Sequence, residues 1–122
     1  MQQGVLLVED NTDIRELMAD LIESWGYRVQ TAAGGAEGVD LARRFSPRIA
    51  LVDIALPDID GYEVARRVRE VFPKEKMHLV AMSGFSQPED RARALQAGFD
   101  LHLVKPVEPD DLRKLLLDGN PT

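Results

Sequence analysis

Residues 49–61 read Ile49-Ala50-Leu51-Val52-Asp53-Ile54-Ala55-Leu56-Pro57-Asp58-Ile59-Asp60-Gly61. An apolar run delivers one carboxylate, and Pro57 and Gly61 punctuate the loop that turns away from it. A short run without apolar-polar alternation predicts a strand buried on both faces, as in a parallel sheet. Asp53 is the first charge after the run. That puts it at the carboxyl end of the strand, the edge on which open α/β sheets bind ligands. Asp is also a common turn residue, so this one position decides nothing until the rest of the chain is read.

Upstream, Val5-Leu6-Leu7-Val8 is a second wholly apolar run, and it too ends in acid, at Glu9-Asp10. Asn11, Thr12 and Asp13 offer helix-capping side chains. Ile14, Leu17, Met18, Leu21, Ile22 and Trp25 then recur at the spacing of one helix face, and Gly26 fits the stop. Tyr27 to Ala32 alternates only weakly, through Val29 and Thr31, and predicts a strand nearer an edge. Gly34-Gly35 breaks it, and a short helix is predicted over Ala36 to Arg44 with Val39, Leu41 and Ala42 inward.

Beyond the Asp53 loop, Asp60 and Glu63 have capping-box spacing. Val64, Val68, Val71 and Phe72 predict the buried face of the next helix, and Pro73 follows its end. His78 to Met82 is another apolar run, stopped by Ser83-Gly84. Ser86 and Glu89 repeat the capping-box spacing, with Pro88 in the first turn. The helix they open is apolar mainly through Ala92, Ala94, Leu95 and Ala97. Small side chains bury little area at about 25 cal/mol/Å², so this helix is expected to be loosely held. Leu101 to Val104 is the last run and ends at Lys105-Pro106, an X-Pro bond where a cis peptide is a reasonable expectation. Pro109 opens a final helix with Leu112, Leu115 and Leu116 inward.

Strand-helix alternation with short connections predicts an α/β fold: a doubly wound (βα)5 unit with a parallel five-stranded sheet and right-handed crossovers. The 122 residues suit a single domain, with a core over about residues 4–117 and a polar tail over 118–122. A net charge of −6 argues against binding nucleic acid through a general basic surface. The absence of cysteine excludes disulfides, thiolate chemistry and cysteine-ligated zinc. Met1-Gln2-Gln3-Gly4 lacks the basic and apolar regions of a signal peptide. No apolar run approaches the ~18 residues that span a membrane, so a cytoplasmic location is the default expectation.

The strands carry their chemistry at one end: Glu9-Asp10, Asp53, Ser83 and Lys105 each follow an apolar run. In a parallel sheet all carboxyl ends share an edge, so these groups can converge. Two carboxylates about 4 Å apart repel by about 4 kcal/mol at an effective dielectric of about 20. A hard divalent cation removes that cost, and a few carboxylates with waters suit Mg²⁺. Lys105 is a mobile point charge suited to a phosphoryl oxygen, and Ser83 has a hydroxyl that can donate to one. Together they describe a site that accepts a phosphoryl group on a carboxylate, with Asp53 as nucleophile.

At this point the chain resembles the receiver domain of two-component response regulators, from about Val5 to Leu117. The resemblance rests on Glu9-Asp10, on Asp53-x-x-x-Pro57-x-x-Asp60-Gly61, on Ser83 and on Lys105-Pro106. It implies a flavodoxin-like sheet of order 2-1-3-4-5 and phosphorylation of Asp53 from a phosphohistidine. The donor would be a sensor histidine kinase or a histidine phosphotransfer protein. The resemblance also implies direct Mg²⁺ ligation by Asp10, Asp53 and the backbone carbonyl of Ala55, with Glu9 acting through water. Ser83 would move toward the phosphoryl group, and a second residue on the fifth strand would shift with it.

The acid pair is Glu-Asp rather than Asp-Asp, and Ser83 stands where Thr is frequent. His102 occupies a position that is usually aromatic; it reads either as the second switch residue or as a half-buried surface histidine. Ala55 and Phe85 flank the site at positions that tune water access in the family. The output is expected to be an unidentified downstream protein, with no direct nucleic acid contact or membrane insertion; a homodimer stays open. The competing reading is a small Mg²⁺-dependent phosphohydrolase with an aspartyl-phosphate intermediate. Such enzymes carry a second acid two residues after the nucleophile, where this chain has Ala55. A flavin carrier of the same architecture would need Ser, Thr and Gly amides in the first loop, where Glu9-Asp10 would repel a phosphate. A receiver-shaped module that takes no phosphate sits poorly with the full set of Asp10, Asp53, Ser83 and Lys105.

Overall fold

A computed structural model describes residues 4–84 and 87–118. Each apolar run forms a strand and each periodic segment a helix. In chain order these are β1 (Gly4–Val8), α1 (Thr12–Ser24), β2 (Arg28–Ala32), α2 (Gly35–Phe45), β3 (Ile49–Asp53), α3 (Gly61–Arg69), β4 (His78–Ser83), α4 (Pro88–Ala97), β5 (Leu101–Val104) and α5 (Pro109–Asp118). The strands are parallel, in the order β2-β1-β3-β4-β5. β3 lies at the centre with all its residues buried. The weakly alternating β2 is an edge, as its sequence predicts.

Strand side chains alternate between two faces, and the core divides accordingly. Leu6, Val8, Ala50, Val52, Leu79 and Ala81 pack with residues of α2, α3 and α4. Val5, Leu7, Ile49, Leu51, Val80 and Met82 pack with Met18 and Ile22 of α1 and Leu112, Leu115 and Leu116 of α5. Helices therefore cover both faces, which leaves the carboxyl edge of the sheet for chemistry.

Several helix faces are narrower than their apolar spacing suggests. In α1 only Met18 and Ile22 are buried, while Ile14 is 38% and Leu17 63% exposed. These two border an open apolar groove of about 340 Å³ with Leu21, Val107, Pro109 and Leu112. In α2, which begins one residue earlier than predicted, Leu41 is only partly buried. α3 ends at Arg69, so Val71 falls outside the helix and is exposed, while Phe72 still packs on the core. In α4 the buried residues are Ala94 and Ala97, whereas Ala92 and Leu95 face out.

The caps also differ in detail. Asn11 and Asp60 accept from the backbone N–H groups of Ile14 and Glu63, at 3.0 and 2.9 Å. Glu63 does not complete its box; its carboxylate binds Arg66 and Arg67 instead. α4 is capped one residue later than predicted, because the N–H of Gln87 donates to Asp90 at 3.2 Å. Ser86, Phe85 and residues 119–122 of the tail lie outside the described residues.

Candidate functional site

β1 and β3 end side by side, with Val8 paired to Val52. Glu9 and Asp10 therefore emerge next to Asp53. Ligand oxygens of these carboxylates lie within 4.8 Å of one another, with Glu9 and Asp53 buried and Asp10 exposed. The Lys105 ammonium arrives from the end of β5 and lies 2.8 Å from Glu9 Oε1 and 3.0 Å from Asp53 Oδ2. The Lys105-Pro106 peptide is cis.

Backbone donors hold the second oxygen of each buried carboxylate. The N–H of Asn11 donates to Glu9 Oε2 at 3.1 Å, and the N–H of Ala55 to Asp53 Oδ1 at 3.1 Å. The Asp53 loop is anchored behind the carboxylate. Ile54 donates its N–H to the Met82 carbonyl, and the Gly61 N–H returns to the Ile54 carbonyl. A β-carbon at Gly61 would come within 2.7 Å of the Asp53 carbonyl, so only glycine lets α3 start this close to the acceptor strand.

Burial raises the Glu9 carboxyl above its ordinary pKa, and its bonds to Lys105 and to the Asn11 N–H offset only part of this. Burial alone would lower Lys105. Its bonds to Glu9 and Asp53 outweigh that, so the ammonium is held above its ordinary value.

Three carboxylates facing one ammonium leave the cluster short of positive charge. An all-oxygen donor set with that deficit, and with exposed Asp10 at its mouth, fits a hard divalent cation. Glu9, Asp10 and Asp53 could hold one, and the backbone of exposed Ala55 borders the same place.

Ser83 ends β4 beside this cluster, since Asp53 is paired with Met82. Its Oγ lies 2.8 Å from His102 Nε2 on β5. His102 is half buried, and burial, then the positive charge of Arg91, lowers its pKa. The geometry thus joins Glu9, Asp10, Asp53, Ala55 and Lys105 in one cluster and ties Ser83 to His102 at its side.

Two supporting residues escaped the sequence reading. Arg15, one helical turn into α1, donates to the carbonyls of Glu9 and Asp10 at 2.8 and 3.3 Å and so fixes the acidic turn from behind. Asp58 reaches from the β3–α3 loop to the start of α2, accepting from Gly35 N–H at 2.7 Å and Ala36 N–H at 2.9 Å. Arg15 left only a helical-turn spacing as its signal. Asp58 left none, because its partners are far away in the chain.

Comparison with known proteins agrees with this geometry. The family model described as the response regulator receiver domain matches residues 5–117. The chain is 37% identical over 108 residues to the cell cycle response regulator CtrA of Brucella ovis, covering 88% of this chain and 46% of the relative. It therefore spans about half the length of that regulator. An uncharacterised 14.6 kDa protein of Leptolyngbya boryana is 36% identical over 115 residues, 94% of this chain and 88% of the relative. Among solved structures, a CheY-like receiver domain protein from Methanospirillum hungatei superposes with a TM-score of 0.90 at 29% identity, covering 98% and 94% of the two chains. The receiver domain of a sensor histidine kinase from Pseudomonas aeruginosa, which has a magnesium ion coordinated in its active-site cleft, gives 0.85 at 33% identity, covering 95% of each chain.

Proposed function

The chain belongs to the response regulator receiver family, and on that premise we propose that Asp53 is its phosphoacceptor. The role is phosphoryl-accepting signalling in a two-component system. The donor is a phosphohistidine on a sensor histidine kinase or a histidine phosphotransfer protein, and the output is a change in affinity for a downstream protein. The described chain acts as one receiver unit. No described helix is long and apolar enough to cross a membrane, and the expected setting is the cytoplasm, with no direct contact to nucleic acid.

In the transfer step a carboxylate oxygen of Asp53 attacks phosphorus. The new P–O bond forms as the P–N bond of the phosphohistidine breaks, and the electron pair of that bond stays on the imidazole nitrogen. Asp10, Asp53 and the Ala55 carbonyl would hold Mg²⁺, with Glu9 acting through water, and the ion would supply charge neutralisation of the phosphoryl oxygens. Lys105 is free to exchange one carboxylate partner for a phosphoryl oxygen, keeping its other contact as a tether. Ser83 donates its hydroxyl to a second phosphoryl oxygen. With the reacting groups held in place, positioning and electrostatics carry the catalysis.

The single observation behind this reading is the Lys105 ammonium, held between Glu9 and Asp53 at 2.8 and 3.0 Å. The test is intact mass after incubation with a small phosphodonor. Wild type gains one phosphoryl mass with Mg²⁺ and none with chelator, and Asp53→Asn gains none in either. Equal labelling of Asp53→Asn would remove Asp53 from the role.

A further inference from the structure

The contact between Ser83 and His102 fixes more than the position of a ring. At 2.8 Å between Oγ and Nε2, one of the two must donate. The other ring nitrogen, Nδ1, is buried and has no hydrogen-bond partner among the described residues. A neutral imidazole has one N–H and one lone pair, so the orphaned nitrogen is one or the other. A buried N–H without an acceptor is rarer in proteins than an under-satisfied acceptor. That preference assigns the lone pair to Nδ1 and the hydrogen to Nε2. Full protonation would bury an unpartnered N–H and a charge together, and burial accordingly holds the ring toward its neutral form. The charges acting on it are Arg91, which adds to that effect, and Asp90, which opposes it; both lie on α4.

We propose that His102 is a positioning residue for Ser83: its Nε2–H donates to Ser83 Oγ and turns the hydroxyl proton away from the ring, toward the phosphoryl oxygen that Asp53 acquires. This rests on the phosphoacceptor role of Asp53. A hydroxyl that accepts from Nε2–H directs its own proton to a different acceptor. The chain Nε2–H to Oγ–H to phosphoryl oxygen is also cooperative, since each donation polarises the next. The strands already supply the alignment. β4 carries Ser83 beside Asp53, while His102 sits on β5 opposite Ala81, one pleat back on the same face. A phenyl ring at position 102 could fill the same space but could not donate.

The opposite tautomer makes the opposite statement. If Nε2 held the lone pair, Ser83 would donate to His102, and phosphorylation would have to break that bond before the hydroxyl could serve. The two arrangements are distinguishable in the unmodified wild-type protein, without any substitution.

The experiment has two arms. Long-range ¹H–¹⁵N spectra of the wild type report the His102 tautomer at neutral pH; an Nε2-protonated ring is expected, and an Nδ1-protonated or evenly mixed ring overturns the proposal. In the second arm, phosphorylation by a small phosphodonor in Mg²⁺ is followed by intact mass for wild type, His102→Phe and His102→Gln. Loss of one net hydrogen bond predicts that His102→Phe is slower by about 2- to 10-fold. His102→Gln carries an amide N–H to about the place of Nε2 and should recover to within about twofold of wild type. A His102→Phe rate equal to wild type, or a His102→Gln rate as low as His102→Phe, overturns the proposal. If wild type itself takes no phosphoryl group, it is the phosphoacceptor reading that fails, and the tautomer still reports on Ser83 and His102.

Discussion

At the scale of single residues, Lys105 holds the site together before any phosphate arrives. Its ammonium lies between two buried carboxylates, one of them 1% exposed. Removing one partner of a fully buried pair costs about 3–5 kcal/mol. The Lys105 side chain is itself 26% exposed, which lowers the expected cost of Lys105→Met to about 1–3 kcal/mol. Denaturant titration in chelator should show that loss. Adding Mg²⁺ should recover part of it, because a cation that binds only the native state stabilises by mass action. A variant as stable as wild type in chelator would mean that the ion pairs contribute nothing. Lys105, Asp53 and Glu9-Asp10 were all legible in the sequence, since each ends an apolar run and a parallel sheet brings such ends together. Arg15 was not, because it acts through backbone carbonyls that any sequence would supply.

At the scale of elements, apolar runs proved more informative than apolar spacing. β1 and β3 are covered on both faces, so every residue of their runs had to be apolar, and the sequence states that directly. A helix face is bounded by what packs on it, which its own sequence does not contain. Ile14 and Leu17 match the period of Met18 and Ile22 yet remain exposed, along an open groove they share with Val107, Pro109 and Leu112. The tie from Asp58 to α2 was invisible for a related reason: Asp58 and Asp60 look alike in the loop, but one caps its own helix and the other caps a distant one.

Asp58 also gives α2 a pH signature. Bonds from the N–H groups of Ala36 and Gly35 lower its pKa from 3.8 to about 2. A folded pKa below the unfolded one adds stability above pH 3.8, and that contribution is lost as pH falls toward about 2. Asp58→Asn should therefore be less stable than wild type near neutral pH, with the gap closing across that acid window. A gap independent of pH would assign the difference to packing rather than to charge.

For the whole molecule, the sheet is the base and α4 is the helix that covers it with the least buried apolar side chain. Only Ala94 and Ala97 of α4 are buried, although Arg93 also stacks over Tyr62 of α3 at 4.1 Å. Elements that bury little apolar area open most readily. Ser83 precedes α4 and β5 follows it, so a change of Ser83 contacts is expected to reach this loosely covered part of the fold first. Phosphorylation can act there by biasing an existing equilibrium, and a coupling of about 1–3 kcal/mol would change partner affinity about 5- to 150-fold. Amide exchange should consequently change most between Ser83 and Lys105 on phosphorylation and little in α1 beyond the acidic turn. Ser83→Ala should take phosphate yet show a blunted change around His102; a response like that of wild type would route the signal elsewhere.

The central claim is that the carboxyl edge of the sheet exists to present Asp53 to a phosphoryl group, and acyl-phosphate mapping tests it most directly. Borohydride reduces an aspartyl phosphate to homoserine but leaves a free carboxylate unchanged. After incubation with a phosphodonor and Mg²⁺, reduction and peptide mass mapping should find homoserine at position 53 and nowhere else. Reduction at another carboxylate, or a phosphoryl mass gain that borohydride cannot convert at position 53, would contradict the claim.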